Sequence, residues 1–142
     1  MTLYAQRIAA IRSLYDGCFG CGRSNPFGLG LDDFELTDDS VTVEFTPHEH
    51  HQGYGGVLHG GIVASALDEV MAWSAMLIEG VAVVTGTLGL RYPKPTPSAG
   101  TLLLTGTVDG RSGSRLFLRG ELHSGDVKTA SATGMFIVKA QL

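Results

Sequence analysis

A chain of 142 residues with 44% apolar and 17% charged side chains fits one domain with a sizeable core. Its formal net charge of −4 excludes the basic character of a general nucleic-acid binder, so an anionic ligand has to be met by a local cluster of cations. No run reaches the ~18 consecutive apolar residues of a membrane span. The opening stretch, MTLYAQRIAAIRSLYDG, lacks the apolar segment of a signal peptide, so no membrane association and a cytoplasmic location are expected.

One domain over residues 1–142 is expected, with an N-terminal helix within 1–16, a loop over 17–30 and a core over 31–142. Leu3, Ile8, Ile11, Leu14 and Tyr15 recur at roughly helical spacing, which predicts a short amphipathic helix over 3–15. CFGCGRSNPFGLGL follows as a turn-rich loop. Its two cysteines, Cys18 and Cys21, make a single CxxC without the second pair of ligands that a tetrahedral zinc site requires, so two structural thiols and no metal are expected. Leu31 to Leu36 and Val41 to Phe45 read as a strand pair turned by Asp38 and Asp39. Val41, Val43 and Phe45 alternate with Thr42 and Glu44, as in a half-buried strand. The run His48 to His51 reads as part of a polar loop, because four consecutive positions lack the spacing of a metal motif.

Residues 60–79, GGIVASALDEVMAWSAMLIE, predict one long helix, apolar around nearly its whole circumference and so buried on most sides. Small residues such as Ala64, Ser65, Ala66, Ala72, Ser74 and Ala75 suggest that a sheet approaches its axis closely. Trp73 and Met76 read as core or as the lining of an apolar pocket, and Glu69 as a solvated or interface carboxylate. Four strands follow, over Val81 to Tyr92, Thr101 to Asp109, Ser114 to His123 and Val127 to Val138, separated by PKPTPSAG, DGRSG and HSGD. One apolar helix and consecutive antiparallel strands make an α+β layer in which the sheet has to curl around the helix.

The segment HGGIVASALDE (59–69) resembles the signature of hotdog-fold acyl-CoA thioesterases of the phenylacetic-acid-degradation (PaaI-like) branch. CFGCGRSNPFGLGL, HQGYGGVL and LRYPKPTP resemble further stretches of that family, so the likeness covers residues 18–138. It implies a hotdog fold and a homodimer whose sheets join edge to edge, often a dimer of dimers. It also implies active sites shared between subunits and acyl-coenzyme A as the ligand. Some members carry Asn six residues before the His of HGG; here that position is Gly53, and neighbouring Gln52 is the candidate for orienting the thioester.

Thioester hydrolysis needs a group that activates water or attacks the carbonyl, and donors that stabilise the developing oxyanion. Gly60 and Gly61 open the long helix, where the first N–H groups have no internal partner and the dipole favours negative charge. His59 fixes the turn before them. Asp68, amid apolar neighbours, is costly without a partner or a task, which makes it the expected base or nucleophile. Gly60 and Asp68 lie about 12 Å apart along one helix, at ~1.5 Å rise per residue. They cannot meet one carbonyl within a subunit, whereas a two-fold axis pairs Asp68 with the partner's Gly60.

By its place in the family-like pattern, Thr85 resembles a hydroxyl residue that holds the attacking water. Thr87, two residues on, is expected on the same strand face. Arg91, Lys94, Arg111 and Arg115 are the candidates for the phosphates of coenzyme A. No metal and no redox cofactor is required. A non-catalytic acyl-CoA sensor and a hotdog hydratase or dehydratase using His59 and Asp68 remain open alternatives.

Overall fold

The computed structural model describes residues 2–142. Helix α1 (Leu3–Leu14) starts on Thr2, whose hydroxyl accepts the Ala5 N–H. An irregular segment leads to strands β1 (Glu35–Thr37) and β2 (Ser40–Phe45). Helix α2 (Gly60–Ser74) continues into a π turn (Ala75–Glu79), and strands β3 (Val81–Arg91), β4 (Leu102–Ser112), β5 (Arg115–Ser124) and β6 (Val127–Gln141) complete the chain. The six strands form one sheet in the order β1-β2-β4-β5-β6-β3, antiparallel throughout.

The α+β layer is as expected, with corrections at particular residues. The first strand begins at Glu35 rather than Leu31, because Asp33 adopts φ 54°, a left-handed conformation that breaks an extended run. Leu31 and Phe34 still bury their side chains, so the apolar pattern was right and the backbone was not. The close approach of helix and sheet is made by strand glycines more than by the small helix residues. A Cβ on Gly106 would fall 2.2 Å from Ser74 Oγ and 2.9 Å from the Val70 carbonyl oxygen. Gly120, its register partner on β5, lies under Leu67 and Met71. Two missing side chains let α2 press large residues into the sheet at interior packing density.

Residues 60–79 are long and apolar enough to cross a membrane by length and composition, but their apolar side chains are used inside the fold. Val63, Ala66, Leu67, Val70, Met71 and Trp73 are all buried. Trp73 belongs to the core: its ring stacks on Phe34 at 4.1 Å and 6°, and the Arg12 guanidinium lies 5.1 Å over it. At the C-terminal end, Arg7 donates to the Leu77 carbonyl at 3.0 Å, so a cation from α1 meets the negative end of the helix.

The histidine run is a 3-10 turn, Glu49–His51, and His51 is buried at 1% exposure. Its Nδ1 accepts the His48 N–H at 3.0 Å, and its carbonyl accepts the His59 N–H at 3.0 Å, so a core histidine positions the residue before α2. Burial is the largest cause that pushes the His51 pKa below its ordinary 6.5. The neutral ring is therefore the folded form. Stability is full above pH 6.5 and falls as acid protonates the unfolded chain in preference to the folded one. Thermal melts from pH 7.5 to 5 should show Tm falling more steeply for wild type than for His51→Asn, whose amide oxygen can replace Nδ1; equal slopes would remove this role.

Candidate active site

The N-terminus of α2 is built by two short bridges, Gln52 with Leu58 and Val57 with Pro97, which pin the preceding loop to the chain after β3. The Leu58 N–H donates to the Thr96 carbonyl at 2.8 Å, and the Thr96 and Thr129 hydroxyls share a buried hydrogen bond of 2.8 Å. His59 is the N-cap, in extended conformation, with its Nδ1 accepting the Gly61 N–H at 2.9 Å. That bond places the ring proton on Nε2. It also commits the Gly61 amide, so of the two expected oxyanion donors Gly60 alone is left. The Gly60 N–H has no acceptor among the described residues, and the Gly60 carbonyl accepts the Tyr92 hydroxyl at 2.7 Å. Tyr92 is a site residue that the sequence pattern missed, since one tyrosine at a strand end carries no periodic signal.

A cleft of about 770 Å³ opens at this helix end, with Gln52, Tyr54, His59, Gly60, Tyr92 and Lys94 in its wall. Four residues chosen from the sequence thus come together. Gly53 has little room for a side chain: a Cβ there would sit 3.2 Å from His59 Cα, so any larger residue needs a slightly displaced N-cap.

The carboxylate lies elsewhere on the same helix. Thr85 on β3 donates its hydroxyl to Asp68 Oδ1 at 2.7 Å. Asp68 is half-buried, and Thr85 stands on an exposed sheet edge, since β3 pairs with β6 alone among the described strands. The other Asp68 oxygen has no protein partner among the described residues.

Thr87 does not share this face. The register of β3 on β6 shifts between Thr85 and Thr87, so that Thr85 opposes Phe136 and Thr87 opposes Met135. Phe136 is fully buried under the helix, and its neighbour Met135 points the opposite way. Gly86 is the extra residue of this bulge, and a Cβ on it would lie 2.8 Å from Met135 Cε. One inserted position therefore sends Thr87 to the outer sheet face.

The four cations are not one patch within the chain. Arg91 opposes Ser131, whereas Arg115 opposes Ile137 of the same strand. Ser131 and Ile137 are six residues apart, about 20 Å of strand. Arg91 and Lys94 stand at the Gly60 end, while Arg111 and Arg115 flank the β4–β5 turn, where Arg111 Nε donates to the Gly113 carbonyl at 2.9 Å.

Comparison with known proteins places this geometry. The family model of the thioesterase superfamily matches residues 55–131, the stretch that holds the cap, α2 and the Asp68–Thr85 pair. The chain belongs to the thioesterase superfamily. A bovine relative, acyl-coenzyme A thioesterase THEM4, is 33% identical over 115 residues, which are 78% of this chain and 47% of that protein. The chain thus spans about half the length of the curated relatives it matches. Among solved structures, the E. coli PaaI protein of the phenylacetic acid degradation operon superposes with TM-score 0.78 at 18% identity, over 99% of this chain and 98% of that one. A Streptococcus pneumoniae hypothetical thioesterase with coenzyme A superposes with TM-score 0.70 at 18% identity, over 77% and 86%. The hotdog fold expected from HGGIVASALDE is thereby borne out, as is the resemblance to thioesterases.

For a thioesterase-superfamily chain, one carboxylate expectation needs correction. Glu69 is neither solvated nor free. Its Oε1 accepts the Trp73 indole N–H at 3.1 Å, and the Cys18 thiol lies 3.7 Å and 4.0 Å from its two oxygens. Burial is the largest cause raising its pKa above the ordinary carboxylate value. No local pattern signals this contact, because Cys18 and Glu69 are 51 positions apart.

Proposed function

We propose that this chain is an acyl-CoA thioesterase that hydrolyses an acyl-coenzyme A thioester to the free acid and coenzyme A. It does so as a homodimer or as a dimer of such dimers. The observation that carries the reading is the Thr85–Asp68 hydrogen bond of 2.7 Å at an exposed sheet edge, on the same helix as an unpartnered Gly60 N–H. Helical rise separates the two groups by about 12 Å. Antiparallel apposition of two β3 edges reverses one helix against the other and carries the partner's Gly60 toward Asp68. The same reversal carries the partner's Arg91 and Lys94 toward Arg111 and Arg115, so that cations far apart in a protomer converge where a phosphate-bearing tail would lie.

In this site Thr85, by donating to Asp68 Oδ1, holds the carboxylate and leaves hydroxyl lone pairs to accept from water. Asp68 takes a proton from that water as its oxygen attacks the thioester carbon. The carbonyl oxygen, becoming anionic, is met by the partner's Gly60 N–H at the positive end of a helix. Collapse of the tetrahedral species expels the coenzyme A thiolate, which recovers a proton, and the acid departs. His59 acts on this step by fixing the turn, and Gln52 and Lys94 offer polar contacts in the cleft wall. The hydroxyl held beside Asp68 favours water activation over direct attack by the carboxylate.

The test is a hydrolysis screen over short, medium, long and aryl acyl-CoA esters, read as thiol release. Turnover of at least one class with stoichiometric free acid is expected. Tight acyl-CoA binding without turnover across the panel points to a sensor, and hydration of an enoyl-CoA with the thioester intact points to a hydratase; either result overturns the proposal.

A further inference from the structure

The chemistry above leaves one cluster unused. Cys18, Cys21 and Glu69 each offer one ligand atom, and these atoms all lie within 4.8 Å of one another. Cys18 and Glu69 are half-buried and Cys21 is buried. The chain around them is shaped to bring them together. The Gly22 N–H donates to the Cys18 carbonyl at 2.8 Å, closing a tight turn across the CxxC. A Cβ on Gly22 would fall 2.2 Å from the Asp16 carbonyl oxygen and 2.3 Å from the Cys18 nitrogen. A Cβ on Gly20 would fall 2.4 Å from Glu69 Cδ. Only glycine at both positions lets the turn close and lie against the carboxylate.

The donors that surround the Glu69 carboxyl are weak. Trp73 supplies one ordinary N–H, whereas thiols at 3.7 Å and beyond are poor donors. Among the described residues no salt bridge reaches Glu69. Arg12 is nearby but spent: its Nη1 donates to the Cys21 carbonyl at 2.6 Å and its Nη2 pairs with Asp32. Two thiols and a carboxylate converging without a cation make a soft donor set for a divalent transition metal.

We propose that Cys18, Cys21 and Glu69 form a binding site for a thiophilic divalent metal ion, zinc(II) foremost. The three side chains supply three ligands, and water supplies the fourth from the open side of Cys18. Binding replaces the two thiol protons: both sulfurs coordinate as thiolates, the carboxylate coordinates through one oxygen, and two protons leave to solvent with no change of oxidation state. The Trp73 N–H on Glu69 and the Arg12 bond to the Cys21 carbonyl orient the ligands. The site joins the 17–30 loop to α2, and none of its three side chains takes part in the bond-making and bond-breaking at the thioester.

The full-length protein, reduced with a phosphine and freed of metal by a chelator, is titrated with cobalt(II) and then zinc(II). The expected result is one equivalent of cobalt with thiolate-to-metal charge-transfer absorption and tetrahedral ligand-field bands, bleached by one equivalent of zinc. Cys18→Ser should cut the thiolate band to about half or less and bind zinc at least about 100-fold more weakly, and Glu69→Gln about 10- to 100-fold more weakly. A folded wild-type chain with no saturable cobalt binding overturns the proposal, as does equal affinity in Cys18→Ser. If the variants misfold, alkylation of the wild-type chain decides: stoichiometric zinc should protect Cys18 from iodoacetamide, and unprotected alkylation sinks the site. None of these readouts depends on turnover, so the thioesterase proposal stands or falls separately.

Discussion

Asp68→Asn should fold as wild type does and lose about 10²- to 10⁴-fold in kcat on its best acyl-CoA ester, with KM changed little. The substitution is nearly isosteric. An amide oxygen still accepts the Thr85 hydroxyl that now reaches Asp68 Oδ1 at 2.7 Å, so the geometry is retained. What disappears is the capacity to take a proton from water. Because that transfer occurs in the transition state and not in the Michaelis complex, the loss falls on kcat. Steady-state hydrolysis with circular dichroism as the folding control checks it. A folded variant with near-wild-type kcat would show that Asp68 is a structural carboxylate and that the chemistry lies elsewhere.

The second large effect is expected at Gly60. Gly60→Pro removes the unpartnered N–H while suiting the helix, since proline is favoured at the first helical position. His59 before it is already extended, at φ −60° and ψ 135°, the conformation a following proline requires. A Cβ there meets nothing closer than the Tyr92 hydroxyl at 3.9 Å. The fold should therefore hold, and Tm should not fall, because proline restricts the unfolded chain. Loss of one oxyanion donor costs about 3 kcal/mol in barrier, a decrease in kcat of roughly 10²- to 10³-fold. Mixed dimers of Gly60→Pro with Asp68→Asn separate a shared site from a private one. In a hybrid, one site carries both defects and the other carries neither, so about half the activity of a wild-type dimer should return. Purified hybrids without recovery would place both groups in one subunit and contradict the two-fold site.

Much of this was legible in the sequence because the relevant signals are local. The long apolar run marked α2, period-2 alternation marked β2, and HGG at its distance from Asp68 marked both ends of the proposed chemistry. The failures share one physical cause, which is that they depend on contacts between distant segments or on a single dihedral angle. Periodicity counts residues evenly, so the Gly86 bulge was invisible and Thr87 was assigned the wrong face. Nothing local distinguishes Asp33 with φ 54° from an ordinary strand residue. Glu69 reads as a solvated or interface carboxylate because the turn that covers it arrives from 51 positions upstream. Clustering of Arg91, Lys94, Arg111 and Arg115 in the sequence said nothing of their separation along β6, which the hairpin register determines.

Asp68 and Glu69 are consecutive on α2, and their side chains diverge by about 100° around its axis. One is tethered to β3 by Thr85, the other to the indole of Trp73 and the cysteine turn. The pair therefore acts as two guy-ropes on a mast: any roll of the helix that slackens one tightens the other. The angular setting of the Asp68 carboxylate is thus fixed from behind, and a change far from the cleft, in the glycines of the 17–30 loop, should turn that carboxylate without touching a single residue of the cleft wall.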